Sequence, residues 1–400
     1  MTAVGATAGG VAAIAANSAV RQAALRVGRF ARPLGRDAIR PPVPPPLLPG
    51  RAVNLPGRGE VFIRDSGGTA ADPAVLLLHG WTVSADLNFF PAYGQLAEAY
   101  RVIALDLRGH GRGMRSAEPF TLEDCADDAA ALLDQIGAGR VIAVGYSMGG
   151  AVAMLLARRH PGRVRALVMQ ATALEWRDAA HERMIWRLLS VLEAGVRLGS
   201  GADIADRVLR HAAEEQPELE ALRPWLAAEF RRGLTSELAD AGRALGRYDA
   251  RPWAGQLDLP AAMLITTRDR LVRPAKQREL ARALHAQVTE IEADHDLPLV
   301  KGAEYARLTR LAVDRVAAAA GLETVTWPVT AGDEQHPGRP RRRHSGADRN
   351  YWRRSWRMAR RARGGQAGGT AVRENQDLSP ERPVVSRTGQ ALARRALRIW

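Results

Sequence analysis

Short apolar runs separated by helical patterns, between roughly residues 52 and 320, constrain this chain more than any other feature. The runs are "EVFIR" (60–64), "AVLLLHG" (74–80), "YRVIALDL" (100–107), "RVIAVGY" (140–146), "VRALVMQA" (164–171), "AAMLITT" (261–267) and "QVTEIEA" (287–293). Successive side chains of a strand point to opposite faces, so a run that is apolar throughout must be covered on both sides. Helical patterns occupy 88–99, 121–136, 148–159, 275–285 and 300–319. This alternation predicts an α/β doubly wound, mostly parallel sheet with helices on both faces. Ligands of such sheets bind beyond the carboxyl ends of the strands, so polar residues at those ends are where chemistry is sought.

The interval 172–250 interrupts the alternation. It reads as helical throughout, broken at Pro217 and Pro224, and it carries Trp176, Trp186, Trp225, Phe230 and Tyr248. An interval this long exceeds what one crossover needs. It predicts a helical cap over the strand ends. The expected organisation is an alanine-rich start and proline-rich linker (1–50), a first core part (51–171), the cap (172–250), a second core part (251–320) and an arginine-rich tail (321–400).

Charge separates the tail from the core. The 400 residues carry a formal net charge of +14. Residues 339–400 hold seventeen arginines and four acids, a net of +13, which leaves about +1 for the rest. A nucleic-acid reading of the core therefore has no charge behind it. The tail composition, rich in Arg, Gly and Pro, buries too little apolar area to order itself. Residues 1–20 are uncharged and rich in Ala and Gly, and arginines follow them; a secretory signal would place positive charge before its apolar run. "PPVPPPLLPG" (41–50) reads as a stiff linker, with the folded core starting just after it. The expected location is the cytoplasm, with the N-terminal segment and the arginine tail available for weak contact with a membrane or other acidic surface. Cys125 is the one cysteine, so no internal disulfide forms, and its place in a helical pattern reads as structural.

The chemistry centres on "AVGYSMGG" (143–150). A strand runs into Gly145-Tyr146-Ser147-Met148-Gly149 and a helix begins at once. This is the G-x-S-x-G elbow in its strand–turn–helix setting. Side chains at 145 and 149 would collide with the neighbouring strand and helix, and Ser147 is expected in a sparsely populated backbone conformation. Its oxygen would project above the sheet at a helix N-terminus. The pattern alone arises by chance in a glycine-rich chain, so its partners matter. "LLLHGWT" ends a strand at His79-Gly80-Trp81, where the Trp81 N–H can join the Met148 N–H as an oxyanion hole. "LITTRDRLV" ends another in Asp269, and "IEADHDLPL" ends the next in His295. The order Ser147, Asp269, His295 is the serine–acid–histidine order of this elbow chemistry. A nucleophilic serine needs a base, and the base needs an acid to set its tautomer. Asp249, Asp294 and Asp296 are the competing acids. His110, in "DLRGHGRG", also follows a strand, but tight-turn packing accounts for it better than catalysis.

With those residues in place the chain resembles the alpha/beta-hydrolase family over about 55–320. The carriers are "HGWT", "DLRGHGRG", "GYSMGG", "RDRLV" and "DHDLP". The resemblance implies an eight-stranded, mostly parallel sheet with a helical cap. It implies Ser147 as nucleophile, Asp269 as acid, His295 as base, and the Trp81 and Met148 backbone N–H groups as oxyanion donors. Relatives that open epoxides or displace halide place an aspartate at the elbow, so a serine there implies acyl transfer through an acyl-enzyme, completed by water. One departure is that the histidine follows Asp294 rather than a glycine, which puts a negative charge beside the base and favours a raised pKa. No cofactor and no metal are expected. The expected partner is a hydrophobic ester or acyl substrate, with no specific nucleic acid. Acyl transfer to an alcohol or thiol, cofactor-free perhydrolysis, and a non-catalytic ligand receptor on the same fold remain alternatives to ester hydrolysis.

Overall fold

The computed structural model describes residues 42–177, 217–233 and 237–322. Eight strands form one sheet: β1 (Gly50–Leu55), β2 (Gly59–Asp65), β3 (Ala74–Leu78), β4 (Arg101–Leu105), β5 (Val141–Tyr146), β6 (Val164–Gln170), β7 (Ala261–Thr266) and β8 (Gln287–Ile291). Their order across the sheet is β1-β2-β4-β3-β5-β6-β7-β8. β1 and β2 pair antiparallel, as do β2 and β4, and every pairing from β4 through β3 to β8 is parallel.

The continuous apolar runs do what their pattern requires. In β3, Leu76 and Leu78 face one layer while Val75 and Leu77 face the other. The first layer is closed by α3 (Leu122–Gln135), α4 (Met148–Arg159) and α7 (Pro274–Ala283), through Leu132, Leu133, Val152, Leu156 and Leu280. The second is closed by α1 (Ala85–Phe89), α2 (Tyr93–Leu96) and α9 (Gly302–Ala319), through Phe89, Tyr93, Leu96, Tyr305 and Val313. α3 starts where Thr121 caps it, its hydroxyl oxygen accepting the Asp124 N–H at 3.0 Å. Cys125 on that helix is buried and free, and burial pushes its thiol pKa up.

Two local expectations need correction, and one strand was not singled out from the sequence. The pattern at 88–99 is two short helices, α1 and α2, because Pro91 and the turn around it break the i→i−4 ladder. β1 was hidden from the apolar count because it is an edge strand, with only Val53 and Leu55 buried. The proline-rich stretch does not stop short of the core. Leu48 is buried, its carbonyl accepts Arg64 Nη1 at 3.1 Å, and the Pro49 carbonyl accepts the Asp65 N–H at 2.9 Å. Leu48, with half-buried Leu47 packed beside it, and two satisfied acceptors are enough to dock a segment with little hydrogen-bonding capacity of its own.

The interval between β6 and β7 is closed at its neck. Glu175 and Asp249 form an antiparallel bridge, and the Ala250 N–H donates to the Leu174 carbonyl at 2.8 Å. Around that neck Trp176 packs tilted on Tyr248, with ring centroids 5.6 Å apart, and Tyr248 meets Trp253 edgewise at 6.2 Å. Past it lie a short 3₁₀ turn (Pro217–Leu222), α5 (Arg223–Gly233) and α6 (Leu238–Leu245). Trp225 and Leu226 of α5 pack on Leu87 and, with it, on Leu299 of α8 (Leu297–Val300). Buried Glu229 of α5 accepts Arg112 Nη2 at 2.5 Å, which ties α5 to the loop after β4. Residues 178–216 and 234–236, Trp186 among them, lie outside the described residues, as do 1–41 and 323–400 with the N-terminal segment and the arginine tail. Among the described residues no helix is long and apolar enough to cross a membrane.

Candidate active site

Ser147 stands at the junction of β5 and α4 with φ 53° and ψ −119°. A non-glycine residue with this φ stores on the order of 1–3 kcal/mol of strain, which only a well-determined surrounding structure can hold. The surroundings are visible. The Ser147 N–H donates to the Gln170 carbonyl on β6 at 2.9 Å, and the Ser147 carbonyl accepts the Gly150 N–H at 2.9 Å. A Cβ at Gly145 would lie 2.5 Å from Gly150 Cα, and one at Gly149 would strike the Leu78 carbonyl oxygen. The helix and β3 therefore close on the turn only because both flanks are glycines.

The other two expected residues reach the same rim from later strands. Asp269 lies three residues past β7 and His295 four past β8. His295 Nε2 is 3.1 Å from Ser147 Oγ, and His295 Nδ1 is 2.9 Å from Asp269 Oδ2. The carboxylate only accepts, so Nδ1 carries the proton toward Asp269 and leaves the Nε2 lone pair aimed at the serine hydroxyl. His295 is partly exposed while Asp269 is buried. Burial works against the imidazolium, yet the Asp269 carboxylate, with Asp294 and Asp296 behind it, overrides that and raises the His295 pKa above its ordinary value.

Of the competing acids, Asp249 is exposed and pairs with Arg251 at 2.6 Å, and Asp294 pairs with Arg270 at 2.6 Å. Asp269 is the carboxylate in hydrogen-bond contact with the imidazole. Trp81 follows Gly80, where an added Cβ would sit 3.3 Å from Ser147 Cβ, so this loop flanks the hydroxyl. The Trp81 indole Nε1 donates to the Leu238 carbonyl of α6 at 2.9 Å, linking the loop to the segment between β6 and β7. Met148 is the first residue of α4, where helix N–H groups have no acceptor within the helix. His110 is a packing residue, as expected. It is fully buried against His79, at 5.4 Å between ring centroids, and burial pushes its pKa down to about 3.

Several supporting residues were not singled out from the sequence. Asp269 Oδ2 also accepts from Thr266 Oγ1 at 2.8 Å and Gln277 Nε2 at 3.1 Å, while Oδ1 accepts the Leu271 and Val272 N–H groups at 2.9 and 2.8 Å. Asn88 Oδ1 accepts the Gly80 N–H at 2.7 Å and so fixes the loop before Trp81. Tyr146 donates its hydroxyl to the His295 carbonyl at 2.7 Å. A fully buried glutamine on α7 was the one available hint, because its polarity conflicts with its inward position on the helix.

Comparison with known proteins agrees with this fold. A pimeloyl-[acyl-carrier protein] methyl ester esterase of Neisseria meningitidis is 30% identical over 249 residues, covering 60% of this chain and 94% of that protein. A 2-(acetamidomethylene)succinate hydrolase of Mesorhizobium japonicum is 26% identical, covering 62% of this chain and 86% of that one. Among solved structures, the enol-lactonase of Burkholderia xenovorans LB400 superposes with a TM-score of 0.57 at 24% identity, over 65% of this chain and 98% of its own, a likeness of fold. The family profile described as alpha/beta hydrolase fold matches residues 73–301. Taken with the strand order and the rim geometry, this match places the chain in the alpha/beta hydrolase fold family.

Proposed function

We propose that the protein is a serine hydrolase that cleaves a carboxylic ester of a hydrophobic small molecule or lipid through an acyl-enzyme intermediate. The observation that carries this reading is the continuous line from Ser147 Oγ to His295 Nε2 at 3.1 Å and from His295 Nδ1 to Asp269 Oδ2 at 2.9 Å. Ser147 Oγ attacks the ester carbonyl while its proton passes to His295 Nε2. The carbonyl oxygen takes up negative charge between the Trp81 and Met148 N–H groups, at the positive end of α4. The intermediate collapses, the C–O bond to the alcohol breaks, and His295 returns the proton to the departing oxygen. Water then attacks the acyl-serine with His295 again taking a proton, which releases the acid and restores the Ser147 hydroxyl.

An apolar substrate is supported by the seam between α5 and the core. Leu87, Trp225, Leu226 and Leu299 form one cluster there, with Val83 and Phe90 packed against it. Val83 follows Trp81 by two positions and Leu299 follows His295 by four, so the cluster is close in sequence to two of the site loops. The similar proteins named as an esterase and a hydrolase support the hydrolytic part of the reading.

Treatment with a fluorophosphonate probe, followed by peptide mapping, tests the assignment. The expected label is on Ser147, with steady turnover of a p-nitrophenyl ester by the wild type and loss of both in Ser147→Ala. Label confined to another residue, or turnover that survives Ser147→Ala, would overturn it.

A further inference from the structure

β7 and β8 continue their pairing beyond their formal ends. The Thr267 N–H donates to the Ile291 carbonyl at 2.8 Å and the Arg268 N–H to the Ala293 carbonyl at 3.0 Å. The two backbones then separate, one toward Asp269 and one toward His295. At that fork the Asp294 side chain takes over. Its Oδ1 accepts the Arg270 N–H at 3.0 Å and the His295 N–H at 2.8 Å, and its Oδ2 accepts Arg270 Nε at 2.6 Å. One carboxylate therefore grips the residue after Asp269 and the backbone of His295 together. The His295 carbonyl is held from the other side by the Tyr146 hydroxyl at 2.7 Å. Residue 294 is not among the positive-φ positions, so the aspartate sits there without backbone strain.

From this geometry we propose that Asp294 is a positioning residue that fixes His295 against both Asp269 and Ser147 by clasping the two loops that carry the acid and the base. The proposal rests on the hydrolytic reading of Ser147, His295 and Asp269. A side chain with one oxygen can hold the two N–H groups but loses the guanidinium, whereas a side chain with none frees both loops. The charged and titratable groups facing His295 are Asp269 from the loop after β7, Asp294 and Asp296 on its own loop, and Tyr146 from β5; Arg270 faces Asp294. The Asp294 charge favours the imidazolium and the Arg270 charge offsets it. Removing the first moves the His295 titration down, and removing the second moves it up.

The test uses the full chain and three variants. Asp294→Gly is expected to lower kcat about 10- to 100-fold toward a p-nitrophenyl ester, since misplacing a reacting group by about 1 Å costs that much. KM should stay within about threefold, because no ground-state contact is removed. Asp294→Asn, which keeps an acceptor for both N–H groups, should recover most of that loss. The His295 imidazole, followed by nitrogen NMR, should titrate lower in Asp294→Asn and higher in Arg270→Ala. If Asp294→Gly keeps wild-type kcat, or loses activity only in proportion to the folded protein lost in a melt, the clasp is wrong. If Asp294→Gly does not fold, the other two variants decide, and absence of opposite movements overturns the proposal. Absence of ester turnover in the wild type would sink the hydrolytic reading instead, and the clasp would then be judged by whether Asp294→Gly, unlike Asp294→Asn, loses the NMR signal of the His295 Nδ1 proton held against Asp269.

Discussion

Replacing Asp269 by asparagine removes one charge and a single acceptor, and the structure states where the damage goes. Five donors converge on the carboxylate: Leu271 N–H and Val272 N–H on Oδ1, and His295 Nδ1–H, Thr266 O–H and Gln277 Nε2–H on Oδ2. An amide has one oxygen, so one set must face an NH₂ group. The two backbone donors cannot turn away. The threonine hydroxyl can rotate and the imidazole can change tautomer. The amide oxygen is therefore expected on the Leu271 and Val272 side, with NH₂ toward His295. Gln277 is then the group left in conflict, because its own amide is pinned by Val272 O at 2.7 Å and Thr266 N at 3.1 Å. One unmet buried donor costs about 1–3 kcal/mol, which at this size is a melting-temperature loss of several degrees. The larger effect is catalytic. His295 would take its proton on Nε2, facing Ser147 Oγ with a donor where an acceptor is needed. An error of tautomer of this kind in a serine triad costs on the order of 10⁴ in kcat, or about 5–6 kcal/mol of barrier. Steady-state hydrolysis of a p-nitrophenyl ester at neutral pH, with a thermal melt alongside, measures both quantities. A folded Asp269→Asn protein with kcat within tenfold of wild type would refute the tautomer argument.

Further outcomes follow from the same geometry. The acid limb of kcat/KM against pH, with an uncharged ester, should lie above 6.5, because Asp269 holds the His295 pKa above its ordinary value and the base must be neutral to act; a midpoint at or below that value would count against the proton-acceptor role. Gly149→Ala would drive a methyl group into the Leu78 carbonyl of β3 and place it 2.7 Å from the His79 carbonyl. Neither backbone group can retreat, so a loss of about 3 kcal/mol or more, seen as a large drop in melting temperature or as insoluble protein, is expected. Cys125 should resist a thiol reagent in the native protein and react only on unfolding, since it is buried and its thiol pKa is raised; rapid native labelling would contradict the packing of α3.

What could be read from the chain was set by short-range constraints. A parallel strand covered on both faces is apolar along its middle, with polar residues confined largely to its ends, so β3 to β7 announced themselves as "AVLLL", "RVIAL", "VIAVGY", "VRALVMQ" and "AAMLIT". A serine in a tight strand-to-helix turn needs glycine at two particular neighbours, so the elbow was visible in five letters. β1 was not, because an edge strand with two buried side chains carries almost no apolar signal. The break at Pro91 was written in the sequence, but the segment on either side kept a helical pattern.

The tertiary structure separated Asp269, the acid the sequence pointed to, from its competitors, and it alone decided what holds that acid and what joins the two loops. Asp249, Asp269, Asp294 and Asp296 are alike as letters. Their roles diverge because β7 and β8 lie side by side, which puts Asp269 under His295 and turns Asp294 toward Arg270. Gln277 reaches the carboxylate only because α7 folds back on β7, whereas Thr266 meets it from the end of β7 itself. Periodicity and turn chemistry act over a few residues and are carried by the chain itself. Distances of 2.9 and 3.1 Å between groups 26 and 148 residues apart depend on sheet order, and only packing sets that.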